Sequence, residues 1–590
     1  MVLKRFNDMI FTGNIGRGRR VFLCACYLAL VCFHLVMASY MNGPRPMADE
    51  LGYLGNARVL AGKGVAPIMT GAAFYHAGYS LLISPAFLLS SDPERVYFFV
   101  LVLNSFLISS LFLFLYYWLN HVLLFDQRIS LFASGITSLY PSFLLQSNTA
   151  WAENAIIPLF ILPSILLYLT LKRKSLFLGI AFGLSVSFLY TVHPRVLPIL
   201  PITVLVLVFL GFLKFLPLRI VAASLGSLGI GLFATLQLHD YLRFLGWAGG
   251  GIPSASRILS RVAFVFGVGQ FLKGVAGQLW YLTASTYGLF LIGCFVLVLA
   301  IWRNLPSLKK KVSSSAEMHS LLFYGFSTAG VFILSVLFFA NFKWNAGHAI
   351  YGRYNECFVA PFMALALGTI LAGRFSEKWR RSSIAAVLIG LTGLGLVTSL
   401  MKVNPIGVYS VIPENIYGLF PVLGTLVYKL KFSFASAVWI STLFILLGIL
   451  FLAWAFKVGR FFGVLSLCSL FLMIAVPQYV VLYHPGRGNS LTLPKAIRSM
   501  PGAGTVSFDL DSGRPGEFYR YQYLLPLTRF LVFSSSKGES PETDVFITSR
   551  FSERFRDSGA RLLTPEKEGN LGLWAKLGSP ANPRIMKGEP

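Results

Sequence analysis

The chain has 590 residues, of which 56% are hydrophobic and only 12% are charged, and its mean hydropathy is +0.69. A soluble protein cannot bury that much apolar surface, so the composition predicts that the lipid bilayer is the main solvent. The formal net charge of +27 does not indicate nucleic-acid binding, because the basic residues lie in short clusters between long apolar runs rather than along one polar face.

Apolar segments long enough to cross a bilayer follow one another from the N-terminal arm to residue 483. A transmembrane helix needs about 20 mostly apolar residues, and the pattern predicts about thirteen such helices. The predicted spans are 21–40, 96–119, 129–146, 155–171, 175–192, 196–213, 219–238, 282–302, 319–340, 357–373, 383–401, 436–456 and 461–483. The first is interpreted as a retained helix, since no small-residue cleavage site follows it. We therefore predict a polytopic α-helical membrane protein with its transmembrane region over residues 1–483.

Lysine and arginine residues fall in alternate connections between these spans, as the positive-inside rule requires. The basic connections are the N-terminal arm, the turn at Arg128 and the segments 172–174, 214–219, 303–311, 374–381 and 457–460. This alternation predicts a multi-pass protein of the plasma (inner) membrane with a cytoplasmic N-terminus and an extracytoplasmic C-terminus. The long connections then lie on the outer side, where function is to be sought.

Two outer regions have sequence patterns of their own. Within the first outer loop, 41–95, the apolar segment 74–90 is short and contains glycine and proline, which predicts an interfacial or re-entrant helix. Residues 484–590 are rich in Gly, Pro, Ser and charged residues and predict a small extracytoplasmic α/β domain. Its predicted strands are 505–508, 529–533 and 544–548, and its predicted helices are 494–500 and 550–557.

Acidic residues occur beside the predicted membrane core on the outer side. Asp49 and Glu50 follow the first span directly, and Glu153 lies in Trp151-Ala152-Glu153-Asn154 at the outer start of the fourth. Carboxylates near hydrocarbon are costly unless they are partnered or used, which favours a functional site. The alternative is a solvated loop, or a helix start whose acids complement the helix dipole.

Basic and aromatic residues are predicted to reach the same face. His193-Pro194-Arg195 forms a tight outer turn, and the connection 341–356 carries several more. These are Lys343, His348, Tyr351, Arg353, Tyr354 and Glu356. A lone histidine in a turn is most often structural, but next to Arg195 a phosphate-binding role competes with that interpretation. We predict that the acids and bases converge on one outer cavity.

The sequence resembles the GT-C superfamily of integral-membrane glycosyltransferases, in the branch of the protein O-mannosyltransferases and the bacterial lipid A aminoarabinose transferases. The resemblance rests on Asp49-Glu50, on the segment 51–60 that follows, on the interfacial segment 75–87 and on Glu153. It covers mainly the N-terminal third, together with the plan of about thirteen helices and an external C-terminal domain. This chain departs from the Lys-Pro-Pro-type sequence expected before the interfacial helix, so the donor sugar and the ligands of the lipid phosphate stay open.

The resemblance implies inverting transfer of a single sugar from a polyprenyl-phosphate donor to a lipid, glycan or protein acceptor on the extracytoplasmic side. It assigns the general base to Asp49, with Glu50 or Glu153 orienting the acceptor or helping to hold a divalent ion. The predicted ligands of the donor phosphate are Arg353 and Arg195, with Lys343, His193 and Tyr351 as further members. No recognisable metal-ligand spacing is present, so a divalent cation is compatible with the sequence but not required.

Three other functions compete with this interpretation. A transporter or flippase of lipid-linked substrates would place charges near the membrane midplane and often repeats its halves, whereas here the charges gather at one face. A polysaccharide polymerase or ligase also uses polyprenyl carriers, but it moves whole oligosaccharides linked through diphosphate. A receptor or scaffold role for the external domain leaves the carboxylates unexplained.

Overall fold

A computed structural model describes residues 19–41, 43–45, 47–64, 74–246, 268–304, 315–340, 346–374, 377–401, 415–483, 491–500, 504–512, 517–549, 552–565 and 571–576. Within these ranges nine helices are long and apolar enough to cross a membrane, or up to ten if one bent pair counts as a single span. Three shorter apolar helices accompany them, at Ala77–Leu89, Leu176–Val192 and Glu356–Leu371. The predicted polytopic α-helical membrane fold is confirmed.

Most predicted spans correspond to a helix of the structure within a few residues. The α-helices of this region are Arg19–Ala38, Ala48–Leu60, Ala77–Ile83, Ala86–Leu89, Pro93–Tyr117, Gln127–Ser138, Pro141–Gln146, Glu153–Leu159, Leu162–Arg173, Leu176–Val192, Ile199–Phe212, Leu218–Gly246, Val268–Ser285, Leu289–Asn304, Ser315–Ala340, Ala346–Ala349, Val359–Leu371, Glu377–Ser399, Phe420–Gly424, Phe434–Val458 and Arg460–Tyr483. Short 3-10 or π-helical turns extend some of them, at Trp118–Val122, Pro194–Val196, Glu356–Phe358 and Thr425–Lys429. Their buried apolar side chains form one large core.

Three predicted spans are not continuous helices. The span 155–171 is interrupted only at residues 160 and 161 and still continues as one span, Glu153–Arg173, whereas two others are divided or bent. The span 129–146 is divided before Pro141, because proline cannot donate a backbone hydrogen bond but suits the first position of a new helix. The span 282–302 contains a bend of 106°. At this bend Tyr287 and Gly288 have φ angles of 49° and 81°, and a Cβ on Gly288 would lie 2.5 Å from the Val387 side chain. Hydropathy does not detect such a bend, since both halves are equally apolar.

The predicted interfacial segment forms two short helices, Ala77–Ile83 and Ala86–Leu89, which are separated at Ser84 and Pro85. The first helix is seated against the end of helix Leu176–Val192. A Cβ at Gly78 would lie 2.6 Å from both the Thr191 carbonyl carbon and the following backbone nitrogen, so glycine permits this close approach. The contact fixes the segment that carries Tyr75 relative to the turn at residues 193–195.

We expect Gly78→Ala to destabilise the folded protein by about 1–3 kcal/mol, because the added methyl group meets backbone rather than a flexible side chain. Thermal unfolding of the purified protein in detergent measures the change. Gly135→Ala is the matched control, since a Cβ at that helical glycine meets nothing within 4 Å and alanine favours helix. Equal unfolding temperatures for the two variants would contradict the close backbone contact between Gly78 and Thr191.

The C-terminal part forms one five-stranded mixed sheet. Its strands are β1 Thr505–Asp509, β2 Arg529–Phe533, β3 Val545–Ser549, β4 Arg561–Pro565 and β5 Leu571–Ala575, in the order β2-β1-β3-β5-β4. Strand β1 pairs parallel with β2 and β3, and β5 pairs antiparallel with β3 and β4. Helices Thr492–Ser499, Glu517–Leu524 and Glu553–Asp557 accompany the sheet. The predicted α/β character is confirmed, whereas the boundary at residue 484 lies outside the described residues.

Helix Glu517–Leu524 attaches the sheet to the transmembrane region. The Tyr523 hydroxyl donates to the Pro93 carbonyl at 2.8 Å, and its ring lies edge-on to Tyr97 with centroids 6.2 Å apart. Leu524 is fully buried in the core of the helical region. The sheet is therefore held close to the start of helix Pro93–Tyr117 and to helix Ala48–Leu60.

Candidate active site

Helix Ala48–Leu60 positions the acidic pair of the first loop. Met47 is extended at the N-cap, and Asp49 and Glu50 occupy the first turn, where their negative charge complements the helix dipole. Successive residues of a helix point about 100° apart, so the two carboxylates face different surroundings.

Asp49 belongs to a cluster of four charged side chains from four parts of the chain. Arg353 donates from Nη1 to Asp49 Oδ2 at 2.7 Å and from Nε to Glu153 Oε1 at 2.9 Å. Its Nη2 donates to the other oxygen of Glu153 at 3.3 Å. Arg195 donates from its Nη2 to Glu153 Oε1. The structure thus brings together Asp49, Glu153, Arg195 and Arg353, which are far apart in sequence.

Exposure distinguishes Asp49 from the rest of this cluster. Its side chain is 32% exposed, against 7% for Arg353, 3% for Arg195 and 1% for Glu153. Two carboxylates balance two guanidinium groups, which offsets the cost of burying charge beside hydrocarbon. Asp49 is therefore the member of the cluster that a substrate can reach.

Aromatic side chains complete the surroundings of the cluster. The Tyr75 hydroxyl donates to Asp49 Oδ1 at 2.5 Å, and burial followed by the Asp49 charge raises the pKa of Tyr75, which keeps that proton in place. Arg353 lies over the Trp151 ring, with Cζ 3.7 Å from the centroid. Neither Tyr75 nor Trp151 is predicted as a site residue from the sequence. Trp151 lies next to the acidic Glu153 and Tyr75 opens the predicted interfacial segment, but nothing local in the sequence shows which way either side chain faces.

Protein groups accept hydrogen bonds from each nitrogen of the Arg195 guanidinium, beginning with His193 in the same turn. His193 Nδ1 accepts from the backbone nitrogen and from Nε of Arg195, both at 3.1 Å. Burial, with the nearby Arg195 charge, lowers the pKa of His193, so its neutral ring serves as an acceptor. Nη1 of Arg195 donates to the Arg353 carbonyl at 3.1 Å, and its guanidinium lies 4.4 Å from the Tyr354 ring centroid. Arg195 therefore has its donors directed at protein groups.

The other predicted phosphate ligands differ in their surroundings. Tyr351 is buried, and its ring is stacked on Phe339 with centroids 3.9 Å apart. Lys343 lies outside the described residues. Glu356, the last residue of the connection 341–356, is also buried. It accepts hydrogen bonds from the neutral side chains of Tyr281, Gln146 and Ser142 rather than from a cation.

Glu50 belongs to a separate hydrogen-bond network. Its carboxylate is fully buried and accepts from the Ala150 nitrogen at 2.6 Å, the Arg45 nitrogen at 2.5 Å and the Tyr97 hydroxyl at 3.0 Å. It thereby ties helix Ala48–Leu60 to the loop before Glu153. Burial raises the pKa of the Glu50 carboxyl to about 7, although these three hydrogen bonds lower it.

We expect Glu50 to make the stability of the protein depend on pH. In the unfolded chain its pKa is near the ordinary 4.5, so between about pH 4.5 and 7 the folded state binds a proton that the unfolded state lacks. The free energy of unfolding should therefore fall as pH rises through this window and level off above pH 7. Glu50→Gln, which has no proton to lose, should remove this part of the slope in unfolding measured in detergent from pH 5 to 8.

Glu94→Gln is the control for this experiment, since it removes an acid from the nearby start of helix Pro93–Tyr117. It should leave the slope in place. An unchanged slope in Glu50→Gln would show that other groups cause the pH dependence.

Among the residues that the structure describes, no group of three or more His, Cys, Asp and Glu side chains is placed to hold a metal ion. Both carboxylates of the charged cluster are instead engaged by guanidinium groups. The divalent cation that the sequence leaves open thus has no such ligand set in the described ranges.

No family model matches the chain, and no curated protein matches its sequence. Solved structures do match. ArnT from Cupriavidus metallidurans bound to undecaprenyl phosphate is similar over 96% of this chain and 100% of its own, with 13% identity and a TM-score of 0.54. The apo state of ArnT from that organism covers 95% and 98%, with 12% identity and a TM-score of 0.48.

A third match is the arabinosyltransferase EmbB from Mycobacterium smegmatis, which covers 85% of this chain and 45% of its own, with 14% identity and a TM-score of 0.40. At such low identity the similarity to ArnT shows a shared fold alone. The resemblance to the GT-C membrane glycosyltransferases is therefore confirmed at the level of the fold, which this chain shares with ArnT over nearly its whole length.

Proposed function

We propose that the protein is a glycosyltransferase of the plasma membrane. It would move one sugar from a polyprenyl-phosphate donor to a hydroxyl group of a lipid, glycan or protein acceptor on the extracytoplasmic face. The observation that carries this proposal is the partly exposed carboxylate of Asp49, held by Arg353 and Tyr75 at the edge of a buried charge cluster. The ArnT structure with this fold contains undecaprenyl phosphate, which supports a donor of that class.

In the proposed reaction Asp49 is the general base. Each of its oxygens accepts one hydrogen bond in the structure and retains a further lone pair for the acceptor proton. As the acceptor O–H bond breaks, the proton passes to Asp49 and the oxygen attacks the anomeric carbon. The bond from that carbon to the phosphate oxygen breaks with its electron pair on the phosphate, which leaves as polyprenyl phosphate. Attack opposite the leaving group inverts the anomeric configuration.

The departing phosphate needs positive charge, and the two arginines contribute to this differently. Arg353 contacts the partly exposed Asp49 through Nη1, so this edge of its guanidinium borders the open side of the cluster. Arg195 is held by His193, Glu153 and the Arg353 carbonyl. We therefore assign phosphate binding to Arg353 and positioning of Arg353 to Arg195 and Glu153. Lys343 and Tyr351 stay predicted contacts of the donor.

A direct assay of sugar transfer tests this function. The purified full chain is incubated with a panel of radiolabelled polyprenyl-phosphate sugars and cell-envelope extract, and the label is followed into lipid, glycan and protein fractions. We expect one donor to pass its label into one fraction in a covalent bond. Movement of label across proteoliposome membranes without a new bond would instead support a flippase, and transfer of whole oligosaccharides from diphosphate carriers a polymerase or ligase.

A further inference from the structure

A cavity lies between helix Ala48–Leu60, the start of helix Pro93–Tyr117 and the C-terminal helix Glu517–Leu524. Its volume is about 210 Å³. Two basic residues, Arg58 and Lys63, line it together with the hydroxyl-bearing Ser90 and Ser91, and no acidic side chain is among its described lining residues. The two cations therefore have no carboxylate partner among the described lining residues of the cavity.

Polar groups in the wall of this cavity are buried without partners. Gln522 is 1% exposed, and neither its amide oxygen nor its amide nitrogen has a hydrogen-bond partner in the described part of the chain. Nε of Arg58 is likewise buried and unpaired there. Such groups lose their hydrogen bonds to water without replacement, which is energetically costly unless a ligand supplies partners. A ligand with several acceptor oxygens would satisfy the guanidinium and the amide nitrogen together.

This cavity is distinct from the site at Asp49. Arg58 lies nine residues beyond Asp49 in the same helix, which is about two and a half turns, or roughly 14 Å along the axis. The cavity is lined by Leu51, Leu54, Gly55 and Arg58, whose spacing describes a single stripe of the helix. Asp49 and Asn56 lie on the opposite stripe, and both contact Tyr75. A group bound by Arg58 is therefore separated from Asp49 by the body of the helix.

The surroundings of the cavity suit an amphiphile rather than a wholly soluble anion. It opens beside Pro93, where a helix long and apolar enough to cross a membrane begins and where lipid head groups would therefore lie. Leu527 in its wall is 85% exposed, and Leu88 and Leu89 next to the lining residue Phe87 are 66% and 65% exposed. Apolar side chains exposed at this depth would contact acyl or prenyl chains while the cations contact the head group.

From this arrangement we infer that the cavity binds the phosphate group of a membrane lipid, with Arg58 and Gln522 as its main polar contacts and Lys63 at its mouth. This site is additional to the proposed donor site and does not depend on glycosyl transfer. It would join the C-terminal sheet to the lipid surface, since Gln522 belongs to the helix that attaches the sheet to the transmembrane region.

Lipid binding to the purified full chain, measured by native mass spectrometry, tests this inference. The two probes are dioleoylphosphatidic acid and dioleoylglycerol, which carry the same chains and differ in the phosphate group. We expect the wild-type protein to bind the first in preference to the second. Arg58→Gln and Gln522→Leu should each weaken binding of the phosphatidic acid roughly tenfold, because each removes a contact to the phosphate.

Arg95→Gln is the matched control, since it removes a positive charge from the same region at a side chain that is 78% exposed and paired with Asp92. It should bind phosphatidic acid like the wild type. If Arg58→Gln does not fold, Gln522→Leu decides the question without a change of charge. Equal binding of the two lipids, or wild-type affinity in the variants, would overturn the inference. The inference would also be overturned if inorganic phosphate bound through Arg58 and phosphatidic acid did not, because the ligand would then be a soluble anion. Any of these results would leave the assignment of Asp49 untouched.

Discussion

Asp49→Asn is expected to abolish sugar transfer while the protein still inserts and folds. An amide cannot take the acceptor proton, and loss of a general base costs about 10²- to 10⁴-fold in rate. The folded state should lose at most about 1 kcal/mol, because Asp49 is partly exposed and the amide oxygen that replaces its carboxylate would still accept a hydrogen bond from Arg353. Single-turnover transfer with saturating donor measures the first effect, and thermal unfolding in detergent measures the second.

Asp240→Asn provides the control for this experiment. Asp240 is also an acid paired with an arginine, but its side chain is 69% exposed and its partner, Arg243, lies three residues along the same helix. This variant should keep full activity. An active Asp49→Asn enzyme would remove Asp49 from the role of base, and an inactive but unfolded one would point to a structural role for the Asp49–Arg353 pair.

Hydropathy predicted the polytopic helical fold well, because this signal is local and extends over whole segments. It did not predict the 106° bend at Gly288, which depends on the close approach of Val387 from a distant helix. The strands β4 and β5 were also missed. They are short, and their pairing, of β5 with β3 and of β4 with β5, is set by tertiary contacts rather than by their own sequence pattern.

The sequence predicted which residues belong to the candidate site better than it predicted which of them contact one another. Acids and bases predicted to lie on the outer side were identifiable because charge beside hydrocarbon is costly, and the structure brings four of them together. Their pairing was not predictable, since Arg195 and Arg353 both meet Glu153 across long sequence separations. The contacts of Glu50 were not predictable either. Although it follows Asp49 directly, successive residues of a helix face different directions, so Glu50 contacts Tyr97 rather than the Asp49 cluster.

Glu153→Ala is expected to cause the largest loss of stability. Glu153 is the buried counter-charge of both Arg195 and Arg353, so its removal leaves Arg195 without its carboxylate partner and Arg353 with Asp49 alone. Breaking a buried ion pair by removing one partner costs about 3–5 kcal/mol. Thermal and chemical unfolding in detergent should show this loss, whereas Glu153→Asp, which keeps the charge, should recover part of it.

A double-mutant cycle separates this explanation from simple loss of packing. Once Arg195 is also replaced by alanine, the guanidinium group that lost its only carboxylate partner in Glu153→Ala is gone as well. Glu153→Ala/Arg195→Ala should therefore be destabilised by less than the sum of the single variants. Strictly additive losses would mean that the two side chains contribute independently and that the cluster is not held by its charges. If Glu153 positions Arg353 for the departing phosphate, we expect two results. The losses of stability in the two single variants should be coupled, and the rate of sugar transfer should fall in Glu153→Ala even under conditions where that variant is folded.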